Sequence, residues 1–212
     1  MHIEFLVEDL SGRKALDNLV PRIIAGEHSF RLHHYKGIGH IPKGLKDAAD
    51  PLKRLLLGKL PGLLRGYGRT PSVDIVIVVC DLDRKIRQTF HDELNAVLDA
   101  CLPRPTAVFC LAVEEAEAWL LGYLPAVYAA YPKARNKILT LYENDSICGT
   151  WELLADAIFP GGSKKLVASG PKAVGAEKYR WAETIAPGID VELNCSPSFC
   201  TFRDTLRLLT ST

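Results

Sequence analysis

The sequence predicts an α/β fold with a mainly parallel, Rossmann-like sheet flanked by helices. The central observation is a largely apolar run over residues 73–80, in which residues 75–79 are an unbroken β-branched stretch. Such a run is typical of a strand that is buried on both faces. Predicted strands alternate with predicted helices along the first 130 residues, and this order favours parallel pairing through helical crossovers. A chain of 212 residues is long enough for one sizeable domain.

The elements of this predicted core follow in order. A first strand spans residues 2–7, and Ser11 is the predicted N-cap of the helix that follows. Gly26 ends that helix, and a short second strand covers residues 29–35. A helix is predicted near residues 51–65, and after the central strand a helix carries Phe90, Leu94 and Val97 on one face. A further strand over 106–113 leads into a helix over 114–123.

The pattern weakens after residue 130. Short helices are predicted over 151–158 and 179–185, with a Gly/Lys-rich loop over 163–176 between them. Ser196 begins a turn and caps a closing helix over 199–209. The sequence therefore predicts a core over residues 1–130, with a basic insertion at 35–72. A C-terminal α-rich extension over 131–212 is expected to pack on that core.

Composition narrows the function classes. The formal net charge is +1, so no global field indicates a nucleic-acid or membrane partner. No apolar run approaches the roughly 20 residues of a membrane span. Glu4 and Glu8 interrupt the first apolar run, which argues against a signal peptide. Cys80, Cys101 and Cys110 lie in apolar stretches, as expected of buried thiols in a protein of the reducing cytoplasm.

Carboxylates follow three of the predicted strands: Glu8, then Asp81 and Asp83, then Glu114, Glu115 and Glu117. The carboxyl ends of parallel strands share one edge of a sheet, where open α/β sheets place their sites. Carboxylates that converge there destabilise one another, and a magnesium ion with oxygen ligands removes that conflict. The alternative is structural, with Asp81 capping the next helix, Asp83 in its first turn, and the other acids scattered on the surface.

The order of these motifs resembles the Toprim fold, in which a Glu ends the first strand and an Asp-x-Asp ends a later one. A closer resemblance is to an uncharacterised bacterial Toprim-like family related to OLD-type nucleases. The residues that carry it are Val7-Glu8-Asp9, Val79-Cys80-Asp81-Leu82-Asp83, Glu117-Ala118-Trp119-Leu120-Leu121-Gly122 and Ser196-Pro197-Ser198-Phe199. The chain departs from the pattern at Asp9, where the fold usually has Gly, and at Tyr123, where an Asp is common.

The resemblance implies a metal-dependent nuclease. Asp81 and Asp83 would hold Mg²⁺, with Mn²⁺ as a substitute, and Glu8 would be a ligand or the general base. Glu117 would complete the metal shell and the catalytic set, and Glu114 would be a further ligand. The implied role is phosphodiester hydrolysis in bacterial defence, on DNA rather than RNA, with a separate ATPase subunit. The alternative is a non-catalytic binding or regulatory subunit that retains the metal site, and a homodimer is left open.

The insertion at 35–72 carries eight basic residues against two acidic ones. Such a segment is suited to follow a nucleic-acid backbone electrostatically. The predicted contacts are Lys43, Lys46, Lys53 and Arg54, with Lys178 from the extension as a further phosphate contact. The alternative for each is a solvated charged loop or helix face.

Overall fold

The computed structural model describes residues 1–24, 26–45, 54–146 and 149–211, and its strands form one parallel sheet. The four strands are β1 (His2–Val7), β2 (Ser29–His34), β3 (Ile75–Asp81) and β4 (Ala107–Ala112). Their order across the sheet is β2-β1-β3-β4, and all three neighbouring pairs are parallel. The predicted α/β class and parallel sheet are confirmed. Because Val7 pairs with Val79 and Asp81 with Ala112, the strands end close together at one edge.

Ten helices are formed within the described residues. They are α1 (Leu10–Ile23), α2 (Leu56–Tyr67), α3 (Arg87–Asp99), α4 (Glu117–Leu121), α5 (Leu124–Ala130), α6 (Asn136–Leu139), α7 (Thr150–Ile158), α8 (Gly162–Ala168), α9 (Pro171–Ile185) and α10 (Pro197–Thr210). Short 3₁₀ turns occur at Lys43–Leu45 and Ala186–Gly188. None of the helices in the described ranges combines the length and the apolar character that a bilayer span needs.

Both faces of the sheet are buried under helices. Along β3, alternate side chains point to opposite sides, as the two-residue period of a strand requires. Ile75, Ile77 and Val79 pack in the cluster that contains α1 and the C-terminal helices, whereas Val76 and Val78 pack in the cluster that contains α2 and α3. The apolar run therefore became a strand covered by helices on both sides, as the sequence predicts.

Packing, an ion pair and hydrogen bonds connect the C-terminal segment to the first helix. α9 packs along α1, where Lys14 Nζ lies 3.0 Å from Glu183 Oε1. At the other end of α1, the Arg22 guanidinium donates hydrogen bonds to the carbonyls of Ala186 and Ile189. Residues after 130 therefore pack on the core, and α9 is positioned to reach the carboxyl edge of the sheet.

Two local predictions are wrong. The loop expected over 163–176 is instead α8 and the first part of α9, because buried Leu166 anchors α8 and Pro171 is well suited to a first helical position. Ser11 is not the N-cap of α1. Asp9 holds that position, where its carboxylate accepts from the Gly12 N–H and the Ser11 hydroxyl, both at 2.7 Å.

Candidate functional site

Glu8 and Asp81 meet at the carboxyl edge of the sheet. Glu8 directly follows β1, Asp81 is the last residue of β3, and these two strands are neighbours. Glu8 Oε2 accepts a hydrogen bond of 3.1 Å from the backbone N–H of Asp81. Asp81 Oδ1 in turn accepts 3.1 Å from the N–H of Ala116, just before α4. The two carboxylates are thus fixed beside each other by backbone contacts.

The helix-cap alternative for the Asp81/Asp83 pair is wrong. The following helix, α3, begins only at Arg87, with Ile86 at its N-cap position. Asp83 lies in the intervening turn with a positive φ of 49°, a conformation that Asp tolerates better than most residues. Its side chain is 47% exposed and forms a 3.1 Å ion pair with Lys85. Asp83 therefore lies towards solvent, whereas Asp81 is held inside.

Glu117 and Lys178 form a buried ion pair beside these acids. Glu117 is the first residue of α4 and only 2% exposed, and its Oε2 lies 3.1 Å from Lys178 Nζ. Lys178 comes from α9 and lies 3.9 Å from Glu115 Oε2 as well. Its side chain is 14% exposed, so the alternative of a solvated helix face is wrong for this lysine. The ammonium instead lies among carboxylates.

The crowding changes the proton affinity of the acids. Burial raises the pKa of Glu8 to about 7; the charge of Asp83 adds to this, while the Asp81 N–H bond opposes it. Burial raises the pKa of Asp81 well above its usual range, and the charge of Glu8 raises it further. Ionisation of both carboxyl groups together is thus unfavourable in these surroundings.

Lys178 offsets part of that charge. Burial by itself lowers the pKa of this lysine, but the charges of Glu117, Glu115 and Asp81 outweigh it and raise the pKa above its ordinary value. For Glu115 the effects have the opposite sign: burial raises its pKa to about 8, and the charge of Lys178 opposes that rise. One buried ammonium is therefore shared among several acids.

Glu114 is not brought to this cluster. Its carboxylate oxygens accept hydrogen bonds from the N–H groups of Gly149 and Thr150 and from the Thr150 hydroxyl. These groups form the start of α7, so Glu114 caps that helix from outside its own segment. The structure thus gives this predicted metal ligand a helix-capping contact.

The predicted nucleic-acid contacts among the described residues do not form one surface. Lys43 is exposed on a 3₁₀ turn, and Arg54 is exposed with its guanidinium donating 3.2 Å to the His34 carbonyl. Lys46 and Lys53 lie outside the described residues. Lys178, the remaining predicted contact, lies in the acidic cluster.

An open cleft adjoins the site. Its volume is about 980 Å³, and it lies between the turn at 83–85 and α7. Its lining includes Asp83, Glu115 and Glu152 together with the cations Arg84 and Lys85. A separate cavity of about 10 Å³ touches Glu8, Asp9 and Asp81. This volume is near the space that a single water needs.

The donors suit a hard cation, although their present arrangement does not form a metal shell. Over residues 1–24, 26–45, 54–146 and 149–211, no three His, Cys, Asp or Glu side chains are placed to share a metal ion. Buried oxygens Glu115 Oε2 and Glu117 Oε2 nevertheless accept no hydrogen bond, apart from their ion pairs with Lys178. Carboxylate oxygens of this kind are the ligands that magnesium prefers.

Sequence reasoning missed two members of the cluster. Asp9 was noted only as a departure from the Toprim pattern, yet its charge raises the pKa values of Glu8, Asp81 and Glu117. Glu115 was counted among the acids but given no role. No family model, curated protein or solved structure matches the chain. The Toprim-like resemblance therefore stays a prediction from the motifs.

Proposed function

We propose that the protein is a magnesium-dependent phosphodiesterase that acts on nucleic acid. The observation that supports this best is the crowding of Glu8, Asp81 and Glu117 at the carboxyl edge of a parallel sheet, with Asp83 beside them at an open cleft. Ligand sites of open α/β sheets occur at this edge. Acids that are buried together at a cost to their own ionisation are typical of functional sites.

The residues fit a magnesium ion by donor type and by charge. Glu8, Asp81, Asp83 and Glu117 would hold it, and their side chains would have to turn towards a common point. When bound, the ion would polarise a phosphoryl oxygen and supply an activated water. The raised pKa values of Glu8 and Asp81 indicate that burial and mutual repulsion oppose their ionisation, and a divalent cation would favour the ionised forms.

The remaining tasks belong to the protein's own groups. As the general base instead of a metal ligand, Glu8 would take a proton from a water, since burial raises its pKa in the metal-free protein to about 7. Lys178 would balance negative charge on a phosphate that approaches Glu117. Asp83 is the exposed member at the cleft, so it would meet an incoming substrate first.

A second candidate function is supported by Lys178. Its ammonium already neutralises part of the cluster. This observation favours a non-catalytic binding or regulatory subunit that retains the metal site. From the Toprim-like resemblance alone, we further propose that the nuclease acts on DNA in a bacterial defence system, together with a separate ATPase subunit.

The test is metal-dependent cleavage by the purified chain. End-labelled DNA and RNA are incubated with Mg²⁺, Mn²⁺ or EDTA, and Asp81→Asn is compared with Asp99→Asn. Asp99 is exposed and paired with Arg104, so Asp99→Asn makes the same chemical change at a surface position outside the acidic cluster. We expect cleavage that needs metal and is lost only in Asp81→Asn. Manganese binding without any cleavage would instead favour the regulatory subunit.

A further inference from the structure

The carboxyl end of β1 has acids on one side and cations on the other. The acids lie towards β3. On the opposite side, β2 ends at His34, which pairs in register with Val7. The chain then passes Glu8 directly, because the N–H of Gly37 donates 3.0 Å to the Glu8 carbonyl. Whatever follows β2 is therefore adjacent to the proposed site.

Two basic residues are tied to this segment. The N–H of Lys36 donates 2.7 Å to the carbonyl of Arg54, which places residue 54 beside the segment that follows β2. The Arg54 guanidinium donates 3.2 Å to the His34 carbonyl. Lys36 and Arg54 are both exposed, so their charges are available at the surface next to Glu8.

A third cation, Arg13, approaches from α1. It lies in the first turn of that helix, where its N–H donates 3.2 Å to the Asp9 carbonyl. Its Nε is buried and makes no hydrogen bond, but it forms an ion pair of 3.8 Å with Asp17 Oδ2. The side chain as a whole is 39% exposed, so its outer part can meet an anionic ligand from solvent.

The electrostatics of His34 agree with this placement. Burial lowers the pKa of its imidazole, and the charges of Arg13 and Arg54 lower it further, while Asp9 opposes them. Of the two guanidiniums, that of Arg54 also contacts this strand end directly, through its 3.2 Å hydrogen bond to the His34 carbonyl. The acidic cluster alone would repel a polyanion, so cations at this place change what the edge can bind.

We propose that Arg13, Lys36 and Arg54 form a phosphate-binding subsite that holds a backbone phosphate next to the one at the acidic cluster. This inference rests on the proposed function for the identity of its ligand. Guanidinium groups match phosphate oxygens with paired hydrogen bonds, whereas the lysine contributes a point charge. The strand would then cross the end of β1, from the cations of α1 and β2 to the acids of β3.

The first test measures DNA binding in Ca²⁺ as a function of salt, with a fluorescent 16-base-pair duplex. The variant is Arg13→Gln/Arg54→Gln, and its control is Lys164→Gln/Lys172→Gln, which removes the same charge from two exposed positions on α8 and α9. We expect the variant to bind at least roughly tenfold more weakly and its log–log salt slope to flatten by about 2. The control should keep the parent's affinity and slope.

The second test uses pyrophosphate, which needs no nucleic-acid partner. Calorimetry should show binding to the parent and the control, and at least roughly tenfold weaker binding to the variant. A further outcome is that only the variant loses pyrophosphate binding, while the parent, the variant and the control all fail to bind DNA. That result would support the phosphate subsite and refute the proposed nuclease function. A variant that binds both probes like the parent, or a parent that binds neither, would overturn the subsite.

Discussion

The substitution Glu8→Gln should stabilise the metal-free protein at high pH and not at low pH. Glutamine keeps the shape of the side chain and an oxygen that can accept the Asp81 N–H, but it cannot ionise. The pKa of Glu8 is raised from an ordinary 4.5 to about 7, chiefly by burial. The unfolded chain therefore loses this proton at lower pH than the folded one.

The sign and the magnitude follow from this difference. Between pH 4.5 and about 7 the folded protein binds more protons at Glu8 than the unfolded chain does, so stability falls as the pH rises. Each pKa unit corresponds to about 1.4 kcal/mol, so above pH 7 the ionisation of Glu8 lowers the free energy of unfolding by about 3 kcal/mol in total. Below pH 4.5 both states are protonated, and this contribution disappears.

The assay is urea unfolding in EDTA at pH 5 and pH 8. The free energy of unfolding of Glu8→Gln should exceed that of the parent by about 2–3 kcal/mol at pH 8 and by much less at pH 5. Glu93→Gln, at an exposed position on α3, should show no difference at either pH. An equal effect at both pH values, or a loss of stability at pH 8, would refute the argument from a buried and crowded carboxylate.

Three further predictions concern the same cluster. Asp81→Asn or Asp83→Ala should abolish metal-dependent cleavage, while the melting temperature in EDTA stays unchanged or rises, because like-charge repulsion is relieved. Lys178→Met should lower the free energy of unfolding by about 3 kcal/mol in EDTA, since it leaves buried Glu117 unpaired, and calorimetry or urea unfolding would measure it. Glu114→Ala should cost about 1–2 kcal/mol through the lost cap of α7, yet leave manganese affinity unchanged.

The sequence predicts the parts of this site that depend on strand periodicity. The strand over 2–7 is found as expected, and parallel pairing then places Glu8 beside Asp81 without further information. The position of Lys178 was beyond such reasoning, because α9 returns to the sheet only through its packing on α1. The capping role of Glu114 likewise depends on where the start of α7 lies in space. Local patterns thus predict the sheet edge, and tertiary packing determines which acids share it.

The buried lysine also bears on the choice between the two candidate functions. A cluster kept only for its shape would be more stable with fewer charges, because a buried ion pair seldom repays the desolvation of both partners. Here the Lys178 ammonium pairs with Glu117 and Glu115 and its charge also acts on Glu8 and Asp81, yet all four acids have raised pKa values. One ammonium is therefore not enough to keep all four acids ionised at neutral pH, at a place next to an open cleft. A divalent cation would allow them to ionise together, which is why we favour the metal-dependent enzyme over the regulatory subunit.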